Sequence, residues 1–101
     1  MPQHYRSHRE AKIESLRNDP IYAEAYLDAV LADGDQEEIL STLRDMAAAF
    51  GGMAEIAAKT NLNPTTLYRT LSPDGNPSIA NFSAILNAMG MRLSVQSLHR
   101  D

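Results

Sequence analysis

The stretch GGMAEIAAKTNLNPTTLYRTLS, residues 51–72, constrains this chain more than any other, because it places two short apolar-periodic pieces almost end to end. Met53, Ile56 and Ala57 fall on one face of a helix ending near Thr60. Asn61-Leu62-Asn63 follows, and Pro64 suits the first position of a second helix whose inward face is Leu67 and Leu71. Two helices joined at a steep angle by a turn of three or four residues make a helix-turn-helix, whose second helix enters the major groove of DNA. The side chains fit that geometry. Ala57 is small where the helices cross, Leu62 is apolar where the turn tucks under the core, and Leu67 docks the second helix on the first. Asn61 stands at the turn position that requires φ > 0, where Gly is usual and Asn is the next most tolerant residue.

If Leu67 and Leu71 point inward, Thr65, Thr66, Tyr68 and Arg69 point outward, and the second helix is polar because its outer face reads DNA. Arg69 has the fork for a bidentate pair with guanine, the threonines suit a thymine methyl or a phosphate, and Tyr68 reaches a phosphate or a base edge. Lys59, Asn76 and Ser78 lie near helix ends, where phosphate contacts are natural, and Asn63 joins them in the predicted DNA-binding set.

The rest of the chain reads as helices with short connections, an all-α bundle. Asp19 caps a helix that has Pro20 at its first position and ends at Asp33-Gly34. Asp35 and Glu38 have capping-box spacing and open a helix to about Ala49, with Leu40, Leu43, Ala47 and Phe50 as its buried stripe. After the turn SPDGNP, Ser78 caps a last helix carrying Ile79, Phe82, Ile85, Leu86 and Met89 at core spacing, closed by Gly90. In the tail MRLSVQSL the period changes to two, with Met91, Leu93 and Val95 alternating with polar residues, which predicts a short C-terminal β-strand. Nothing else in the chain reads as a strand, so its partner is expected in another chain. Residues 1–18 form an N-terminal extension, partly disordered or a short helix seated by Ile13 and Leu16, with the first eight residues frayed, and residues 19–101 form the domain.

Composition narrows the function. With 101 residues the chain has room for one core. It has no cysteine, no apolar run of membrane-spanning length and no apolar stretch behind its basic N-terminus, so a soluble, cytoplasmic protein is expected. Net charge is −4, the wrong sign for a nucleic-acid binder, but it is unevenly spread. Residues 1–39 carry four Lys/Arg against nine Asp/Glu, and residues 40–101 carry five against four, so an acidic face belongs to the front half and any anion-binding face to the back. Catalysis has little to stand on: there is no Cys nucleophile, His4 and His8 lie at the N-terminus, and His99 lies in the tail. The i, i+4 spacing of His4 and His8 suits a metal on a helix, but no carboxylate or Cys completes a set, so neither metal nor cofactor is expected.

The segments YLDAVLADGD, LRDMAAAFGGMAEIA, LYRTLSPDGNPS and LNAMGMRLSV, in that order, resemble the addiction-module antidote (HigA-like antitoxin) proteins, which carry a lambda-repressor-like helix-turn-helix; the resemblance covers about residues 19–96. It implies the antitoxin half of a type II toxin–antitoxin operon: a homodimer that binds its operator DNA and neutralises a small basic RelE/ParE-like (HigB-type) toxin by contact. Carried over by position, the reading helix is Pro64 to Leu71, with Thr65, Thr66, Tyr68 and Arg69 as DNA contacts. The chain departs from the family pattern in having Asn61 for the turn Gly and Pro64 where a basic residue is frequent. On the same resemblance, the acidic residues 9–38 suit a basic toxin, and the terminal strand pairs with its twin or extends a toxin sheet. The alternative is a protein-interaction module that keeps the helix-turn-helix shape and binds DNA little on its own. A dimer using Lys59 and Arg69, with or without one of Arg44 and Arg92, would neutralise roughly four to six phosphates, a log–log salt slope of about −4 to −5.

Overall fold

The computed structural model describes residues 7–98, which form six helices and no strand. Capping chemistry sets most of the boundaries. Helix α1 (His8–Asn18) opens on a full capping box, Ser7 Oγ accepting from the Glu10 amide at 3.0 Å while the Ser7 amide donates to Glu10 Oε1 at 2.9 Å. Helix α2 (Pro20–Asp33) has Asp19 accepting from the Tyr22 amide at 3.0 Å, and α3 (Gln36–Ala49) has Asp35 accepting from the Glu38 amide at 2.8 Å. Then come α4 (Met53–Thr60), α5 (Pro64–Thr70) and α6 (Ile79–Ala88), the last capped by Ser78, whose Oγ accepts from the Asn81 amide at 3.0 Å.

Helix α3 is the spine, touching α1, α2 and α4 and burying Leu40, Leu43, Met46, Ala47 and Ala49. Leu27 of α2, Ile56 of α4, Leu67 of α5 and Ile85 of α6 close the same core. Helix α1 is mostly polar and buries only Ile13 and Leu16, so charge supplies much of its attachment. Asp45 of α3, nearly enclosed, accepts from Arg9 Nε at 2.8 Å and pairs with Lys12 Nζ at 3.3 Å. Lys12 also stands 4.6 Å from the centroid of the Tyr26 ring, so one ammonium joins α1, α2 and α3. Burial alone would lower the Lys12 pKa, but hydrogen bonding to the Tyr26 and Asp45 side chains, with their charge, outweighs it and raises the pKa above its ordinary 10.5. Arg17 donates to the carbonyls of Ala49 (3.1 Å) and Ala48 (3.3 Å), which supplies donors and positive charge to the C-terminal end of α3.

Two expectations are corrected. Residues 91–98 form no β-strand: the alternation of Met91, Leu93 and Val95 is there, but a strand exists only as part of a ladder, and no described segment offers it an edge. Val95 and Leu98 are left almost wholly exposed. Ile79, expected in the core, is 80% exposed, because as the first residue of α6 it projects beyond the core that Ile85, Leu86 and Met89 reach. The fraying expected for the first eight residues does not extend to Ser7 and His8, which cap and open α1 because the Ser7–Glu10 capping box ties them down, and positions 1–6, with His4 among them, lie outside the described residues, as does His99. No helix among the described residues is long and apolar enough to cross a membrane.

Candidate nucleic-acid interface

Helices α4 and α5 are joined by Asn61-Leu62-Asn63, and the joint depends on backbone chemistry at both of its asparagines. Asn61 adopts φ 62° and ψ 15°, the only left-handed non-glycine residue among those described, and it ends α4 within one residue. Asn63 restarts the chain as the cap of α5, its Oδ1 accepting from the Thr66 amide at 2.7 Å, with Pro64 at the first helical position. Leu67 and Leu71 are completely buried and fix the rotation of α5. That rotation leaves Thr65, Tyr68 and Arg69 exposed at i, i+3 and i+4, a single outward stripe, with Thr66 half-buried beside it. Tyr68 is 60% exposed, and no carboxylate among the described residues pairs with Arg69.

The loop from Ser72 to Ser78 is held against the end of α5. The Gly75 amide donates to the Ser72 carbonyl at 2.8 Å, and the Gly75 carbonyl accepts from Gln36 Nε2 of α3 at 2.8 Å. Gly75 is buried so tightly that a Cβ there would lie 2.0 Å from the Thr70 carbonyl oxygen. The loop therefore carries the exposed Asn76 and Ser78 at a fixed position relative to the last turn of α5.

Residues 10–97 match the family described as probable addiction module antidote protein. The chain belongs to that family. It is also 35% identical over 71 residues to an uncharacterized protein of Haemophilus influenzae, covering 70% of this chain and 72% of that one. No solved structure matches. Membership gives this antidote protein a toxin as its partner in general terms, and antidote families are typically non-enzymatic.

Within this antidote protein, the residues expected to touch DNA are not all brought together. Thr65, Tyr68 and Arg69 share the α5 stripe, with Thr66 next to it and Asn76 and Ser78 beyond the end of the helix. Asn63 and Ser78 both spend a side-chain oxygen on a cap, which makes them structural residues whatever else they touch. Lys59 lies apart from the stripe, facing a cleft with Phe50, Asn87 and Met89, and pairs with Glu55 one turn earlier at 3.2 Å. Arg44, counted among possible phosphate contacts, is half-buried and donates from Nη1 to the Leu71 carbonyl, tying the spine to the C-terminal end of α5. Arg44, Gln36 and Gly75 are thus positioning residues that the sequence reading missed. Only Gly75 carried a local signal, and that signal read as an ordinary turn glycine.

Proposed function

We propose that this antidote-family chain is a DNA-binding antitoxin of a type II toxin–antitoxin system. On this reading it is a cytoplasmic homodimer that represses its own operon and neutralises a RelE/ParE-like, HigB-type toxin. The observation that carries the DNA half is the α4–α5 joint: a left-handed Asn61, a capped three-residue turn and a short α5 whose outward stripe is Thr65, Tyr68 and Arg69. In a lambda-repressor-like helix-turn-helix, α5 is the reading helix, and on this reading Asn76 and Ser78 would meet phosphates flanking the groove. The family match supports the toxin half. The exposed Val95 and Leu98 are candidates for pairing with a second copy.

A specific observation also favours the second reading, an interaction module of helix-turn-helix shape with little DNA affinity of its own. Arg44 is tied to a backbone carbonyl and Lys59 to a carboxylate, in a chain of net charge −4. With those two discounted in part, a dimer neutralises roughly two to four phosphates, for a salt slope of about −2 to −4. Titration of the purified protein against its own upstream intergenic DNA and a scrambled duplex, at two salt concentrations, separates the readings. Preference for the native duplex establishes a sequence-specific repressor; equal and weak binding to both establishes the module.

A further inference from the structure

Helices α2 and α6 both contribute to the core through Leu27 and Leu86 but do not approach each other closely along their backbones. Between them, and walled on one side by residues 90–96, runs a groove of about 760 Å³. Its floor is apolar, made by Leu27, Leu31, Leu86 and Met91. On the α2 side the rim is acidic: Glu24 and Asp28 are exposed one turn apart, and α2 contains no basic residue. Ile21, 82% exposed, and Ala25 continue the same face toward the start of the helix, so α2 presents an apolar strip edged by carboxylates. Arg92 stands on the opposite wall.

We infer that this groove is the docking site for a basic amphipathic segment of the toxin, an inference that rests on the antitoxin reading above. Charge complementarity selects the occupant. A segment with apolar side chains on one face and Lys or Arg one turn apart along its edge would bury the former on Leu31 and Leu93 and pair the latter with Glu24 and Asp28. DNA is excluded by the acidic rim. Isologous pairing of two copies across the groove would gather four carboxylates in one seam, with only the two Arg92 side chains among the groove's lining residues to balance them. The groove also lies at the C-terminal end of α6, whereas Ser78 and the loop beside α5 lie at its N-terminal end.

The test measures affinity for the purified product of the adjacent toxin gene. Leu31→Glu places a charge in the groove at an already exposed position, and Asp28→Lys reverses the rim; Glu37→Lys, on exposed α3 surface outside the groove, is the control. Thermal unfolding shows that each variant is folded. Leu31→Glu should weaken binding at least about 30-fold and Asp28→Lys about 10-fold, with Glu37→Lys within about twofold of the parent. If the parent binds and both groove variants bind equally well, the groove assignment is overturned while the antitoxin reading stands. A Leu31→Glu variant that changes only the mass of the free protein in solution makes the groove a self-contact, which also overturns it. Failure of the parent itself to bind removes the antitoxin reading and this inference together.

Discussion

Gly75→Ala tests how the loop beside α5 is placed. The added Cβ would sit 2.0 Å from the Thr70 carbonyl oxygen, 2.6 Å from the Thr70 carbonyl carbon and 2.9 Å from the Arg69 carbonyl oxygen. Relief requires a shift of about 1.4 Å, the gap between 2.0 Å and the 3.4 Å at which ordinary contact begins. All three atoms belong to the backbone of the last turn of α5, which the buried Leu67 and Leu71 and the Arg44 hydrogen bond hold down, so the loop is what moves. Moving it breaks the 2.8 Å bonds from the Gly75 amide to Ser72 and from Gln36 to the Gly75 carbonyl. Overpacking costs about 1–3 kcal/mol, and each lost hydrogen bond about 1 kcal/mol. The reduced freedom of the unfolded chain returns about 0.4–1 kcal/mol. The net is a destabilisation of about 2–4 kcal/mol, which for a domain of this size lowers Tm by at least about 8 °C. Gln36→Leu, which removes one bond without the clash, should cost only about 1 kcal/mol. Calorimetric unfolding of both variants is the assay, and a Gly75→Ala protein that melts with the parent would refute the close approach on which the loop's placement rests.

Four further outcomes are expected. Asp45→Asn leaves Arg9 and Lys12 facing an amide; because both cations keep contact with water, the cost is about 1.5–3 kcal/mol rather than that of a fully buried pair, and amide exchange in α1 should accelerate about 10- to 150-fold. The raised pKa of Lys12 means that its stabilisation is complete below pH 10.5 and is lost as pH rises through the folded-state value; the parent should show this alkaline loss and Lys12→Met should not, read by unfolding from pH 7 to pH 11.5. Asn63→Ala should cost about 1 kcal/mol through loss of the α5 cap, and the neutral capping variant Asn63→Ser should restore stability, so any operator affinity that Ser fails to restore belongs to the Asn63 amide group. If Arg69 reads a guanine, Arg69→Ala costs about 1–3 kcal/mol and relaxes preference at one base pair, whereas a uniform loss over all sequences in a binding-site selection assigns it to phosphate.

The parts of the fold that were legible in the sequence are those fixed within one turn of chain. Asp19, Asp35 and Ser78 cap the helices they precede because a short oxygen-bearing side chain reaches a backbone amide three residues on, and that relation is written in the sequence. Asn61 was legible for the same reason, as a residue tolerant of positive φ between two apolar-periodic pieces. Ser7 and Glu10 carried the same kind of signal, but the polar run around them masked it. The rest depended on distant partners. Asp45 meets Arg9 across 36 residues, and Arg44 meets Leu71 across 27, so nothing near either residue shows whether its charge faces solvent or the interior. Ile79 has core spacing, yet periodicity says which face a residue is on and not how far along the helix the core extends. The alternation in residues 91–96 likewise records which side chains would share a face if a partner strand were present, and the chain supplies none among its described residues.

The employment of the basic side chains links the fold to what the α5 stripe can do. Arg9 and Lys12 are held by Asp45, Arg17 by the end of α3, Arg44 by the end of α5, and Lys59 by Glu55. Among the described residues only Arg69 and Arg92 have no such attachment, and of these only Arg69 is on the stripe. A surface with one free cation draws little from counterion release, so on the DNA-binding reading its discrimination must come from short-range contacts by Thr65, Tyr68 and Arg69. The same residues that make α1 and α5 rigid are therefore the ones withheld from nucleic acid. The carboxylates of α2 have no comparable internal duty, which leaves Glu24 and Asp28 free to set the sign of whatever docks beside them. A cationic partner seated there would also offset part of the −4 net charge that opposes DNA. The two faces would then be coupled through charge, without any change in the shape of the bundle between them.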